Sequence, residues 1–356
     1  MKRIIILVVI ASVISGMLCA EEAVLIDFTK LVADIHIGTG RADDQSDRLD
    51  QNQRTMMEFG QAIGSTYTND QRSLMRTSLA IENWDVTFTS SSRTIYNIAH
   101  TYTKEAASGQ FGTVMGLRVH YPLEPAYSKA TVRPPFEIPA YEWGEVDDSG
   151  NVTSARSYVA TEPSRFEDGY GVLKNVGTIR SVAVQVYGLN FPHGLNVILI
   201  DSQGNEKVCF MGYLNFDGWA ELTWNNPQYV FEVRNRDLRL YPLYPWNEPF
   251  IKFGGFRLDR DADAIGGDFV TYFKEVRVIY DVANLRPDRD IDDEDTWNII
   301  WERETENRLL EMEKFGENQL LRFLDSQRQT TRPFDPLGRE GTPYNYGFTW
   351  DEQDQQ

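Results

Sequence analysis

Cysteine is almost missing from this sequence, histidine is scarce, and cations are far outnumbered by anions. The chain has 2 Cys and 4 His, and its 35 Lys and Arg face 53 Asp and Glu, for a formal net charge of −18. Each shortage excludes something. A chain this acidic repels a phosphate backbone or an anionic membrane surface, so nucleic acid is not its partner. His36, His100, His120 and His193 have no metal-ligand spacing, and no His-x-x-x-His pair occurs. There is no Gly-x-Ser-x-Gly elbow, no phosphate-cradling glycine loop and no dinucleotide fingerprint. The reading is of a protein that is not an enzyme, with no catalytic, cofactor-binding or metal-ligating residue.

Long apolar runs are also missing after the first residues, and that one run defines the compartment. Lys2 and Arg3 precede an uncharged stretch from Ile4 to Leu18, and Ala20 stands before Glu21 and Glu22. This is the three-part layout of a secretory signal peptide cleaved between Ala20 and Glu21. The run is shorter than the ~20 residues of a spanning helix, which argues against an uncleaved anchor. Gly16-Met17-Leu18 before Cys19 fits a lipoprotein signal poorly. Cleavage removes two cations and no anion, so the formal charge moves from −18 to −20. It also leaves Cys209 as the single cysteine, so no intramolecular disulfide is available. Cys209 sits in a strand-like segment and reads as a buried small apolar residue. The mature protein is expected outside the cytoplasm, off the membrane, and stabilised by core burial.

What the sequence does contain is a series of period-two segments, the mark of half-buried strands. Val24 to Phe28 is the first. Trp84, Val86 and Phe88 alternate with polar residues, as do Leu117, Val119 and Tyr121, and then Val182, Val184 and Val186. Leu195–Asp201 meets Glu206–Met211 through Ser202-Gln203-Gly204-Asn205, a hairpin signal because Gly and Asn accept positive φ. Trp219–Trp224, Ile251–Arg257 and Phe269–Tyr280 complete the set. Strands between turn-rich links predict a mainly β fold, an antiparallel β-sandwich over residues 21–281. Asn69–Ala80 is expected to be the one short helix within it, and Gly38–Gln53 a polar loop.

Residues 282–327 change character. An acidic run from Asp288 to Asp295 precedes a helical pattern over Thr296–Gln327, where acids suit the helix N-terminus. Trp297, Ile300, Trp301, Leu309, Met312, Phe315, Leu320, Phe323 and Leu324 recur every three or four residues. That stripe must pack on its own sandwich or on a neighbouring subunit. Trp297, Trp301 and Phe323 are expected on one buried face. Residues 328–356 are rich in Pro, Gly and Gln, and are expected to have little fixed structure alone. Tyr344, Tyr346, Phe348 and Trp350 alternate there, so in an extended chain all four project to one side. Trp297, Trp301, Phe323 and these four tail aromatics are the candidate assembly contacts.

Other features carry less. Asp259-Arg260-Asp261-Ala262-Asp263 and the run from Asp288 lack the Gly and Glu of an EF-hand loop, and read as solvated charge. Trp219, Trp224, Tyr229, Tyr241, Tyr244 and Trp246 are close in sequence; such aromatics stack on sugars, anchor an interface, or fill a core. A periplasmic carbohydrate-binding module is therefore the alternative function.

Several blocks are more specific. Arg165-Phe166-Glu167-Asp168-Gly169-Tyr170-Gly171-Val172 and Lys174-Asn175-Val176-Gly177 resemble the spirochaete flagellar filament outer-layer (sheath) proteins, FlaA. So do Met211-Gly212-Tyr213-Leu214, Trp224-Asn225-Asn226-Pro227, Gly266–Val276 and Asp292-Asp293-Glu294-Asp295-Thr296-Trp297. The resemblance implies a structural subunit of the periplasmic flagellum. Its partners would be the flagellin core subunits that it coats and other sheath subunits, in support of motility. It carries over no catalytic residue. The sandwich blocks also resemble galactose-binding-like jelly rolls, a statement about fold alone.

Overall fold

A computed structural model describes residues 21–32, 55–60, 66–89, 92–141, 145–146, 152–153, 165–229, 249–283 and 293–330. Chain order begins with β1 (Glu21–Asp27), β2 (Met57–Glu58), α1 (Asn69–Ser73), β3 (Arg76–Thr77), β4 (Asp85–Phe88) and α2 (Ile95–Ala99). It continues with β5 (Tyr102–Ser108), β6 (Gly112–Tyr121), β7 (Ser128–Arg133), β8 (Glu145–Val146), β9 (Val152–Thr153) and β10 (Val172–Lys174). Next come β11 (Val176–Leu189), β12 (Gly194–Asp201), β13 (Glu206–Tyr213), β14 (Asp217–Asn225), β15 (Phe250–Arg260) and β16 (Gly267–Val282). Two helices close the described chain, α3 (Asp293–Trp297) and α4 (Ile299–Thr330).

Twelve of the strands form two six-stranded antiparallel sheets. Sheet one runs β14-β11-β16-β6-β5, and sheet two runs β13-β12-β15-β7-β4. Each has one long strand with two partners along one edge. β16 pairs with β6 through Gly267–Phe273 and with β1 through Glu275–Tyr280. β15 pairs with β10 through Phe250–Lys252 and with β7 through Phe256–Arg260. The period-two residues account for this. Val182, Val184 and Val186 face inward from β11 and are fully buried, as are Leu117, Val119 and Tyr121 in β6. Leu195, Val197 and Leu199 answer from β12, beside Cys209 of β13. Phe256 and Phe273 stack at 4.1 Å between the sheets. Trp84 is fully buried, donates Nε1–H to the Leu79 carbonyl and packs edge-on to Phe28 at 5.4 Å. Burying each large side chain of this kind contributes ~1.5–3 kcal/mol, so the alternation is an energetic instruction.

The expected helix over Asn69–Ala80 is shorter than its pattern. A capping box between Thr68 and Gln71 starts α1, but the helix stops after Ser73. Arg76–Thr77 then pairs with Met57–Glu58, and Ile81–Asn83 forms a 3-10 turn. Pairing and burial of Met75, Leu79 and Ile81 override a weak helical propensity. α2 went unrecognised; its signal is the Thr94 side chain accepting from the Asn97 N–H at 3.1 Å, an N-cap.

Candidate assembly surface

The C-terminal helix lies on the outer side of sheet two. Lys252 is opposite Ile200 and Val172, so it shares their side and points away from the core pair Phe253 and Leu199. There it meets α4. Its Nζ donates to Glu311 at 2.5 Å and to Glu137 at 3.3 Å, and the side chain is only 4 % exposed. Glu311 also accepts from the backbone N–H of Ala140 at 3.0 Å and Tyr141 at 3.3 Å. Lys314 reaches Glu137, Gln319 donates to the Pro135 carbonyl at 3.1 Å, and Arg322 bonds Pro135 and Asp85. Between these polar contacts Phe315 packs edge-on against Phe136 at 5.2 Å, and Phe59 touches both Phe315 and Phe323. A cleft of about 420 Å³ remains between helix and sheet, lined by Arg133, Glu206, Lys252, Gly254 and Asn318 among others.

The electrostatics favour a charged, closed contact. Burial pushes the Glu137 carboxyl up, but the Lys314 hydrogen bond and the Lys252 and Lys314 charges outweigh it and hold the group below 4.5. Lys252 is a nearly buried cation with two carboxylates, so removing either partner exposes the usual cost of an unpaired buried charge.

The stripe that the sequence predicts on one buried face is divided. Met312, Phe315 and Phe323 are buried at home. Trp297 is 65 % exposed and Trp301 49 % exposed, with Leu309 and Leu310 exposed beyond them. The single expected helix is also broken. Asn298 adopts φ 55°, a conformation that Asn tolerates, and separates α3 from α4. Glu294 in α3 then accepts from the N–H of Ile300 at 3.1 Å and of Trp301 at 3.3 Å, capping the longer helix. At ~1.5 Å per residue the 32 residues of α4 reach about 48 Å, and among the described residues its contacts to the sandwich run from Glu311 to Phe323. Sequence reasoning missed Lys252, Glu137, Glu311, Gln319 and Arg322. A polar side chain shows no periodic signal, and its partner lies in a distant segment.

The remaining candidates separate. Glu21 opens β1 and pairs with Tyr280. Ala20, Gly38–Gln53, Tyr344, Tyr346, Phe348 and Trp350 lie outside the described residues. Trp219 and Trp224 do not form one platform: Trp224 pairs with the buried Val182, whereas Trp219 pairs with Tyr187 on the outer side. Tyr229 lies apart, bonded to Asp281 at 3.0 Å; Tyr241, Tyr244 and Trp246 are outside the described residues. Asp259 is held by Arg257 at 3.1 Å and by Asn196 at 3.0 Å. His120 donates through Nδ1 to Asp268 at 2.9 Å; this bond, with Arg118, holds the carboxyl below its ordinary range. Among the described residues no three His, Cys, Asp or Glu side chains are grouped to hold a metal, and no helix is long and apolar enough to cross a membrane.

The class is an antiparallel sandwich with a helix strapped to one outer face, Trp297 and Trp301 standing exposed near its start. Comparison with known proteins gives the particular kind. The profile of the family described as flagellar filament outer layer protein Flaa matches residues 48–289. A flagellar filament outer layer protein of Treponema pallidum (strain Nichols) is 43 % identical over 349 residues, covering 95 % of this chain and 97 % of its own. A protein of the same name from Spirochaeta aurantia is 40 % identical, covering 87 % of each chain. The chain belongs to the flagellar filament outer layer protein family. Among solved structures it overlaps a family 61 carbohydrate-binding module in complex with beta-1,4-galactotriose. The TM-score is 0.24 at 8 % identity, over 56 % of this chain and 88 % of the other. The family 11 carbohydrate-binding module of a Clostridium thermocellum cellulase gives the same figures. At such values neither likeness bears on what this chain binds.

Proposed function

We propose that this protein is a non-catalytic coat subunit that forms the outer layer of a periplasmic flagellar filament around a flagellin core. It is exported, loses Met1–Ala20, and contacts its neighbours or the core through Trp297, Trp301 and the aromatic tail. The observation that carries the reading, beside family membership, is the division of the helical stripe. One stretch of the pattern is closed on the protein's own sheet, and the other offers two large indoles to whatever lies beside it. Indoles left half in water are typical anchors of a protein interface. Two further facts support export and assembly. Among the described residues β1 opens at Glu21, so cleavage before it keeps every described strand. The only cysteine after residue 20, Cys209, is buried, and burial pushes its thiol up to about 11, which keeps it unreactive in an oxidising compartment.

The test is fractionation. Flagella released from cells and stripped of membrane with detergent should retain this chain at a fixed ratio to flagellin. Its intact mass should correspond to an N-terminus at Glu21. Recovery in the soluble fraction alone, or a mass that includes Met1–Ala20, would overturn the proposal.

A further inference from the structure

The outer face of sheet one carries a row of side chains that the assembly contacts above leave unused. Strand pairing places Trp219 beside Tyr187, Tyr187 beside Tyr272, Tyr272 beside Gly116 and Gly116 beside Lys104. The row therefore crosses five strands, from β14 to β5. Its rings touch edge to face, 5.3 Å between Trp219 and Tyr187 and 5.9 Å between Tyr187 and Tyr272. Phe111, in the turn between β5 and β6, closes on Trp219 at 4.9 Å. Gly116 makes room for this: a Cβ there would stand 3.3 Å from the Tyr272 ring, which lies over it. All four aromatic residues are half-buried, on the side away from the core residues Val186 and Phe273. Three acids on this face are occupied, Glu221 and Glu275 by Arg277, Glu275 also by Lys274, and Asp268 by Arg118, while Asp217 stands exposed at the Trp219 end, away from Lys104. Lys104 is exposed and has no ion pair among the described residues.

We infer that this row is the docking site for the C-terminal tail of a second copy of the chain, with Tyr344, Tyr346, Phe348 and Trp350 laid across the rings and Asp351 and Glu352 beside Lys104. Length and charge both fit. Four strand-to-strand steps of ~4.8 Å make the row about 19 Å long, and the seven residues from Tyr344 to Trp350, six steps of extended chain, span about 20 Å. The tail's aromatics precede its carboxylates just as the row's rings precede its ammonium group. The placement of the two faces suits a neighbour as the acceptor. α4 leads into the tail from the outer side of sheet two, whereas the row lies on the outer side of sheet one. A contact from one face to the opposite face of the next copy is heterologous, and such contacts repeat without closing unless the rotation closes a ring. A coat along a filament needs that property. The inference rests on the coat-subunit reading, and it can fail while that reading stands.

The experiment uses the full chain with a photo-reactive phenylalanine analogue at position 348, mixed with isotope-labelled wild-type copies and assembled on filaments. Cross-links should join the two isotopic forms and map to Phe111, Tyr187, Trp219 or Tyr272. Cross-links confined to one copy, or landing on flagellin or elsewhere on a neighbour, overturn the inference, as does their absence from filaments that do incorporate the protein. In those cases co-purification with filaments still tests the coat reading separately. Charge swapping gives a second readout on exposed side chains. Lys104→Glu should weaken self-association about fivefold, and adding Asp351→Lys with Glu352→Lys should restore it. Loss without restoration assigns the effect to the sandwich and counts against the pairing.

Discussion

The two ends of the C-terminal helix have the same sequence pattern and opposite fates. Around Met312, Phe315 and Phe323 the helix is closed on the outer side of sheet two. Around Trp297 and Trp301 it is open. Apolar periodicity does not separate them, because both ends repeat every three or four residues. What separates them is polar. Glu311, Lys314, Gln319 and Arg322 each find a partner in Asp85, Pro135–Tyr141 or Lys252. The open end has no comparable set of contacts to the sandwich among the described residues. A stripe says that a helix needs a surface. Side chains that fix an orientation say which surface it has already found.

The largest effect should come from the closed end. Phe315→Ala removes a ring packed against Phe59 and Phe136, and should cost about 3–5 kcal/mol, read as a lower urea midpoint. The helix should also lose protection from hydrogen exchange over residues 311–323. If the midpoint moves by only a few tenths, the contact contributes little and the distinction between the ends collapses. Glu311→Ala comes next, at about 3 kcal/mol, because it leaves Lys252 buried with a single carboxylate and two backbone N–H groups without their acceptor. Lys252→Met combined with Glu311→Leu should recover much of that loss. A double variant as weak as the single one would mean that the pair itself, and not the burial of an unpaired charge, sets the cost.

Acid should attack the sandwich before it attacks the helix contact. His193 is buried, stacks on Phe269 at 4.8 Å, and neither ring nitrogen has a hydrogen-bond partner among the described residues. Burial, with the nearby Arg260 charge, brings its pKa from 6.5 down to about 4. The unfolded chain therefore takes up the proton first. The stability is whole above 6.5 and is lost as the pH falls toward 4, by on the order of 2–3 kcal/mol. Glu137 is held below 4.5, so its contribution is whole above that value and fades only at lower pH. Urea midpoints measured from pH 7 to pH 4 should fall in the wild type and stay much flatter in His193→Leu. An unchanged slope in that variant would assign the acid loss to another group and leave the order of events open.

Much of this architecture is written locally. The hairpin at Asp201–Glu206 is legible because Gly204 takes φ 81° and Asp201 accepts from the N–H groups of Gln203 and Asn205, each a short-range event. Alternation at Val182, Val184 and Val186 identifies a strand and its inward side together. The helical pattern after Asp293 is legible for the same reason. The seat of that helix is not, since Lys252 lies 59 residues from Glu311 and reads as an ordinary surface lysine in its own strand. The row on sheet one is hidden likewise. Tyr187, Trp219 and Tyr272 are unremarkable within their own segments and become neighbours only through strand register.

The smallest expected effect on stability is the most informative about assembly. Trp301→Ala removes a half-exposed indole that none of the helix's contacts among the described residues uses, so the isolated protein should lose no more than about 0.5 kcal/mol. Trp297→Ala should behave in the same way, being more exposed still. Circular dichroism and the urea midpoint should be unchanged in both. Incorporation into filaments should fall, and fall further in the double variant, because interface indoles carry a disproportionate share of binding energy when they become fully desolvated. Run beside Phe315→Ala, this pair of variants makes the comparison quantitative: one substitution should lower folding stability and the others should lower assembly alone. Should Trp301→Ala destabilise the monomer as much as Phe315→Ala does, the helix is one continuous home contact. Should filaments take up the double tryptophan variant as well as wild type, the exposed indoles face only solvent, and assembly must rest on the tail and the row it is proposed to meet.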